Sequence, residues 1–337
     1  MKHKHLRILL SVLFGLICLA VWVHITDMNE LLDYIRQVHI GLAALAAVAY
    51  IVSYILRSLR WTTIMSTVHR VSPLPMFAYY MAGNFFNYLV PIRAGELAKC
   101  YFVKQRYGVR VSRSLPTIFI DKLFDSAAIF LVLLLIPLLP INLNKPLWIL
   151  IIFIVGVVLA GIGVLIAASL AREQTTRLLQ KLLFFVPKKY SERLQDISSL
   201  FVEGIGLFRH HHALLPQIAG LTLLAVLSDS MMILFLFWSF GVSVNYFMVL
   251  FGYTLIYLSY ILPHPPAQIG SNELLMVLIF SVGFGLDRNL VSAVMAFGHL
   301  ITGVLIVSIG LSAVSWTGTG IFRTKFDVDN GDENETG

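Results

Sequence analysis

Cysteine is nearly absent from this chain, and so is charge. Cys18 and Cys100 are its two cysteines, and both fall in apolar or membrane-proximal stretches, so neither a disulfide framework nor a cysteine metal site can be built from them. Only 13% of residues are charged while 58% are hydrophobic, against about a quarter charged in soluble domains. A phosphate-binding P-loop, a dinucleotide glycine fingerprint, a G-x-S-x-G nucleophile elbow and zinc-type Cys/His spacing are all missing, which removes the common soluble-enzyme signatures and ATP-driven pumping by this chain alone. No polar stretch is long enough for a separate catalytic domain, and no cofactor is expected. The longest such stretch, 171–212, reads as a loop with helical character. A net charge of +7 points to anionic lipid headgroups and cytoplasmic loops rather than nucleic acid.

What is present is apolar sequence long enough to cross a bilayer, repeatedly. The expected fold is an all-α polytopic membrane helix bundle, one integral domain over 1–325 followed by an acidic, disordered tail over 326–337. Spans are predicted at 6–24, 40–59, 114–139, 147–170, 213–238 and 289–312. The first follows Lys2, Lys4 and Arg7 but lacks a small-x-small cleavage site, which reads as an uncleaved anchor. Arg57, Arg60 and Arg70 after the second span, and the basic excess of 171–212, place those loops and both termini on the cytoplasmic side of the cell membrane. Trp22, Trp61, Trp148, Trp238 and Trp316 all fall at predicted span ends, as an interfacial aromatic belt requires.

Two further apolar stretches, 73–90 and 246–262, stop at proline and glycine. The first ends in Pro91-Ile-Arg93-Ala-Gly95-Glu96, the second in Pro263-His-Pro-Pro266-Ala-Gln268-Ile-Gly270-Ser-Asn-Glu273. A full crossing by 73–90 would put Arg93, Lys99, Lys104, Arg106, Arg110 and Arg113 outside. A re-entrant hairpin over 73–110 keeps them cytoplasmic. A second hairpin over 246–285 then mirrors it, since aligning Glu96 with Glu273 also aligns Gly108 with Gly285. Discontinuous helices in two halves of opposite orientation predict an inverted-topology repeat with a polar site between the halves.

The candidate site residues follow from cost. A charge at a helix centre costs about 2.5–3.5 kcal/mol on the insertion scale, so Arg93, Glu96, Asp121, Lys122 and Asp125 must pair, face water or bind something. Asp121 and Asp125 share one helical face and Lys122 reaches Asp125 at i,i+3. That stripe either lines a headgroup path or forms an ion-pair network fixing the first hairpin. Gly95 and Glu96 open a half-helix whose free N–H groups attract anions, and the Arg93 guanidinium suits a phosphate. Glu96 would orient Arg93 or Lys122, or meet a cationic part of the substrate. Asn84 and Asn87 could satisfy the broken backbone. In the second half Ser271 or Asn272 could cap the half-helix that carries Glu273. His264 and Gln268 are possible substrate contacts, and His299 lies alone in an apolar span as a structural residue or a proton relay. His210, His211 and His212 read as a solvated run.

At these residues the chain resembles the lysylphosphatidylglycerol synthase transmembrane-region family, the flippase-like integral membrane proteins related to the flippase part of the multiple peptide resistance factor. The family's Asn-x-x-x-Pro-x-Arg-x-Gly-Glu motif stands as Asn87, Pro91, Arg93, Gly95 and Glu96. Its Glu-Arg-x-x-Asp becomes Asp121-Lys122-Leu-Phe-Asp125, and its Pro-Gly-Gly-x-Gly-x-x-Glu becomes Pro266-Ala-Gln-Ile-Gly270-Ser-Asn-Glu273, without the glycine pair. A later family arginine corresponds to His299. The resemblance, over about 8–315, implies translocation of lipid or lipid-linked substrates, with an anionic phospholipid or polyprenyl-phosphate lipid as partner. Lacking an aminoacyl-transfer domain, the chain is not expected to aminoacylate lipid. The alternatives are an intramembrane lipid-modifying enzyme with Asp121 or Asp125 as general base, or a non-catalytic partner of a lipid-synthesis enzyme.

Overall fold

The computed structural model describes residues 2–90, 94–135, 211–259 and 265–317, plus isolated positions between 148 and 206. The predicted span 147–170, most of the 171–212 loop, the tail 326–337 and the break residues Pro91, Arg93, Pro263 and His264 lie outside the described residues, apart from those isolated positions and His211 and His212. The described residues are helical throughout, with no strand among them. In chain order they form α1 (Lys2–Ile25), α2 (Met28–Arg36), α3 (Ile40–Met65), α4 (Pro73–Leu89), α5 (Gly95–Tyr107), α6 (Val111–Leu135), α7 (Leu215–Ser239), α8 (Tyr246–Ser259), α9 (Ser271–Met276, continued as a π-helical turn Val277–Gly283) and α10 (Arg288–Trp316).

Among the described residues three helices are long and apolar enough to cross a membrane, Ile40–Met65, His212–Ser239 and Arg288–Trp316. Ser11–Ile25 with Met28–Arg36 forms a fourth candidate bent by 84°. The bend is set by Asp27, which caps α2 by accepting from the Asn29 and Glu30 amides. The acidic 25–40 connection is therefore largely a helix in its own right, tied to α10 where Asn289 donates to Glu30 and accepts from the Asp27 amide.

Two main cores form among the described residues. Tyr79, Tyr80, Met81, Phe85, Phe102 and Val103 centre the first, and Phe237, Phe251, Phe280, Val291 and Val294 the second. The halves meet along α3 and α7, where small residues of α3, Ala43, Ala46, Ala49 and Ser53, recur every three to four positions and are buried. Ser228 of α7 donates to the Ala49 carbonyl there at 2.8 Å. The far end of α10 enters the first core through Ile306, Ala313 and Val314.

Neither α5 nor α8 can span a bilayer, since 13 and 14 residues make only about 20 Å of helix against a ~30 Å hydrocarbon layer. Instead α5 folds back along α4. Their broken ends meet where a Cβ on Gly95 would lie 1.8 Å from the Gly83 carbonyl oxygen, so only glycine fits. At the other end the Tyr107 hydroxyl accepts from the Ser72 amide at 3.2 Å. The start of α4 and the end of α5 are thus neighbours. In the second half Gly252 of α8 packs under the Phe280 ring, and Phe251 meets Phe284 edge-on at 5.8 Å.

Three sequence expectations change. Helix α3 continues past residue 59 to Met65, so Arg57 and Arg60 are not loop charges but buried helix residues, which leaves Arg70 as the basic marker of that end. Trp61 is fully buried, with its indole N–H donating to Thr117 Oγ1 at 3.2 Å, and Trp22 donates to Ser292. Neither is a belt residue, because each indole finds an internal acceptor. Trp238 and Trp316 are exposed at helix ends. Finally, α9 is capped differently from expectation. Gly270 occupies the N-cap, Ser271 donates to the Gln268 carbonyl, and it is Glu273 that accepts from the Gly270 amide at 2.8 Å.

Candidate functional site

The intramembrane charges form one connected network among the described residues. From α3, Arg60 Nε sits 2.8 Å from Asp121 and its Nη1 2.8 Å from Asp125, both on α6. Arg57, one turn earlier, lies 3.5 Å from Asp125 and 2.6 Å from Asp229 of α7. Ser53 accepts from Arg57, and the Tyr253 hydroxyl both accepts from Arg57 Nη2 and donates to Asp229 at 2.6 Å. Tyr257 of α8 donates to the second oxygen of Asp125 at 2.9 Å. Lys122 stands 3.7 Å from Asp125 and 3.8 Å from Glu96, and Lys99 closes the chain at 2.9 Å from Glu96. Four cations, Arg57, Arg60, Lys99 and Lys122, thus face four anions, Glu96, Asp121, Asp125 and Asp229.

The network is dry except at one exposed pair, Glu96 and Lys122. The Arg60 and Lys99 side chains are at most 1% exposed, while Glu96 is 20% and Lys122 37% exposed. Lys99 is held under aromatic cover, its ammonium 4.0 Å from the Tyr80 ring centre and 5.9 Å from that of Trp61. The Lys122 contacts lie beyond hydrogen-bond length. Its ammonium is therefore the least committed of the four cations, and it sits near the middle of α6.

The first break is stitched by Asn87. Its Oδ1 accepts from the Gly95 amide at 2.9 Å and its Nδ2 donates to Glu96 at 3.2 Å. Asn84 does not take that role, donating to the Tyr80 carbonyl of its own helix. Arg93 lies outside the described residues, three positions before Glu96 in sequence.

The second break turns on two residues in the left-handed region, Ala267 (φ 52°) and Gln268 (φ 61°), followed by Gly270 at φ 82°. Asn272 donates to Gln268 Oε1 at 2.6 Å, so Gln268 is bound internally. His299 reaches in from α10. Its Nδ1 contacts Glu273 and its Nε2 lies 2.8 Å from the Ala267 carbonyl. Tyr88 of α4 brings its hydroxyl to 3.5 Å from the same Nε2. A continuous run of neighbours, Glu96, Asn87, Tyr88, His299 and Glu273, therefore joins the two glutamates. The alignment of the halves extends further than Glu96/Glu273 and Gly108/Gly285. The same offset pairs Lys122 with His299 and Tyr80 with Tyr257. Each half thus sets a first-turn glutamate against a nitrogen base on its last helix.

Of the candidate residues, Glu96, Asp121, Lys122 and Asp125 converge on one cluster, while Gln268, Glu273 and His299 form a second one linked to it through Tyr88. Sequence inspection missed Arg57, Arg60, Lys99 and Asp229. The first two were hidden by ending the second span too early. Asp229 was overlooked as the single acid in span 213–238, although a lone acid in an apolar span is itself a signal.

The chain aligns with the Haloferax volcanii protein described as "Glycosyltransferase AglD", 25% identical over 127 residues that make up 36% of this chain and 20% of that protein. It thus spans about a fifth of that relative's length. The sequence pattern described as "Lysylphosphatidylglycerol synthase TM region" matches residues 8–310, nearly all of the membrane-embedded helices that build the two clusters. The chain is therefore a membrane protein of the lysylphosphatidylglycerol synthase transmembrane-region family.

Proposed function

We propose that this protein is a lipid translocator that carries an anionic phospholipid or lipid-linked phosphate headgroup across the cell membrane between its two broken-helix hairpins. One observation carries the proposal: an ammonium, Lys122, near the middle of the largely apolar helix α6, 37% exposed and only loosely engaged by its carboxylates. Facing hydrocarbon, it would cost about 2.5–3.5 kcal/mol. Facing a polar cavity, it is a ready partner for a phosphate, with Arg93 as the second cation and Glu96 available to an amine on the same headgroup. The acyl chains would stay in the bilayer.

The adjacency of Ser72 and Tyr107 supports reading α4 and α5 as a re-entrant hairpin that enters from the cytoplasm and returns to it. The matched spacing of Glu, Lys/His, Tyr and Gly in the two halves supports an inverted repeat, with α8 and α9 entering from the opposite face. In this arrangement both termini are cytoplasmic. The test is reconstitution in liposomes with fluorescent or spin-labelled phosphatidylglycerol and polyprenyl-phosphate lipids. Movement faster than in protein-free vesicles is expected, and equal rates for every lipid would overturn the proposal.

Lipid modification is the second reading, and the glycosyltransferase named above gives it its support. Its general base would be Asp121 or Asp125. Both are 1–2% exposed and held by Arg60 at 2.8 Å, a poor position from which to abstract a substrate proton. Mass spectrometry of lipids incubated with the protein separates conversion from movement, and co-purification tests a role as partner of a lipid-synthesis enzyme.

A further inference from the structure

We infer that His299 is a proton-binding site that locks and releases the second break. Its imidazole is flanked on both sides by acceptors, the Glu273 carboxylate at Nδ1 and the Ala267 carbonyl at Nε2. Only the doubly protonated imidazolium can donate to both. A neutral ring has one N–H, so with Glu273 as a carboxylate one lone pair faces an oxygen lone pair and one contact opens; both contacts hold only while the Glu273–His299 pair carries one proton. The remaining groups against it do not substitute. Tyr88, from α4, is a hydroxyl 3.5 Å from Nε2. Helix α7 brings Leu236 against the neighbouring Gly298, and α1 brings backbone of Gly15 and Leu19 against Gly270. Glu273 is the carboxyl partner from α9, and it is also the residue that accepts from the Gly270 amide.

What the proton holds is a segment under tension. Ala267 and Gln268 both occupy the left-handed region without being glycine, a conformation that persists only when its surroundings over-determine it. Protonated His299 supplies one of those constraints, through the Ala267 carbonyl. When the proton leaves to water, the ring keeps only one of its two contacts, to Ala267 or to Glu273, and the break loses the other. The first half has no such release, because the corresponding position is Lys122, an ammonium that stays charged across the neutral range. Proton-dependent clamping is therefore confined to the second break; the Lys122 ammonium, 3.8 Å from Glu96, carries its charge without such a switch. If the protein translocates lipid, as proposed above, this makes the segment 265–276 the moving element and the proton its coupling ion. The break's proton dependence stands without that reading.

The sign follows from linkage. The closed break binds one proton that the open break need not, so opening is favoured as pH rises, by about tenfold per pH unit above the transition. The test is amide hydrogen exchange of the full-length protein in lipid nanodiscs between pH 5.5 and 8.5, corrected for the intrinsic pH dependence of exchange. Wild-type peptides covering 265–276 should lose protection by up to tenfold per unit, while peptides from α3 and α7 stay flat. His299→Lys, which copies the first half, should keep the break protected at every pH, and His299→Gln should leave it open at every pH. A wild-type break whose corrected exchange does not change with pH overturns the proposal, whether or not the variants fold. A pH-dependent break together with no lipid movement at any pH supports the proton site and overturns the translocation reading. A pH-dependent break whose opening tracks the rate of lipid movement in liposomes supports both.

Discussion

Replacing Arg60 with methionine tests whether the charges between α3 and α6 are a closed structural network. Arg60 is fully buried and bonded to two carboxylates, but the two are not equally dependent on it. Asp125 keeps Arg57 at 3.5 Å, Lys122 at 3.7 Å and the Tyr257 hydroxyl at 2.9 Å. Asp121, 1% exposed, has its strong contact with Arg60 at 2.8 Å. The loss therefore concentrates on Asp121, stranded as a buried uncompensated charge, and should cost about 3–5 kcal/mol. Adding Asp121→Asn removes the stranded charge and should restore about 2–3 kcal/mol as a coupling energy. The assay is reversible SDS unfolding in mixed micelles followed by tryptophan fluorescence, for wild type, both single variants and the double variant. A destabilisation by Arg60→Met of less than ~1 kcal/mol, or purely additive single costs, would refute the network as described.

Four other outcomes are expected. Arg93→Ala should abolish lipid movement in liposomes while leaving the SDS unfolding midpoint unchanged. Glu96→Ala should abolish it too but also lower stability, by about 1–3 kcal/mol, because Lys99 is then buried without its carboxylate; unchanged stability would place Lys99 elsewhere. Gly95→Ala should cost at least the 1–3 kcal/mol of an ordinary overpacking substitution, since the new methyl meets the Gly83 backbone, and size-exclusion profiles should show aggregated rather than monodisperse protein. Tyr257→Phe should cost about 1–2 kcal/mol through the lost bond to buried Asp125, and no measurable change would mean that water replaces the hydroxyl.

The ends of the short helices were legible in sequence because proline and glycine act locally. Helix α4 stops at Leu89 and α5 starts at Gly95, on either side of Pro91, and α9 starts at Ser271, directly after Gly270. The partners of the charges were not legible. Asp121 and Asp125 announced that they needed cations, but the cations came from another helix. Arg57 and Arg60 looked like loop residues because a hydropathy window closes at the first arginine, although the helix continues to Met65. An arginine that is paired on arrival does not end a span. Likewise Lys99 seemed one of several basic residues near the interface, and only the packing of Tyr80 and Trp61 around it separates it from Lys104 and Arg106.

The charge balance narrows what the network can do for a ligand. Among the described residues four cations stand against four anions, so an arriving phosphate must bring its own counter-charge, meet Arg93, or draw a cation out of the network. Arg60 cannot be drawn out, for its 2.8 Å contacts serve two carboxylates at once. Lys99 cannot either, being enclosed by aromatic rings. Lys122 can, because its carboxylates lie at 3.7 and 3.8 Å and Asp125 keeps both arginines and a tyrosine hydroxyl when the ammonium turns away. Glu96 likewise keeps Lys99 and Asn87. The buried residues thus hold α3, α6 and α7 together, while the exposed pair Lys122 and Glu96 leaves one charge that the proposed carrier would lend to a headgroup and take back. If that division is right, Lys122→Ala should slow lipid movement much as Arg93→Ala does, while Arg60→Met fails in folding first.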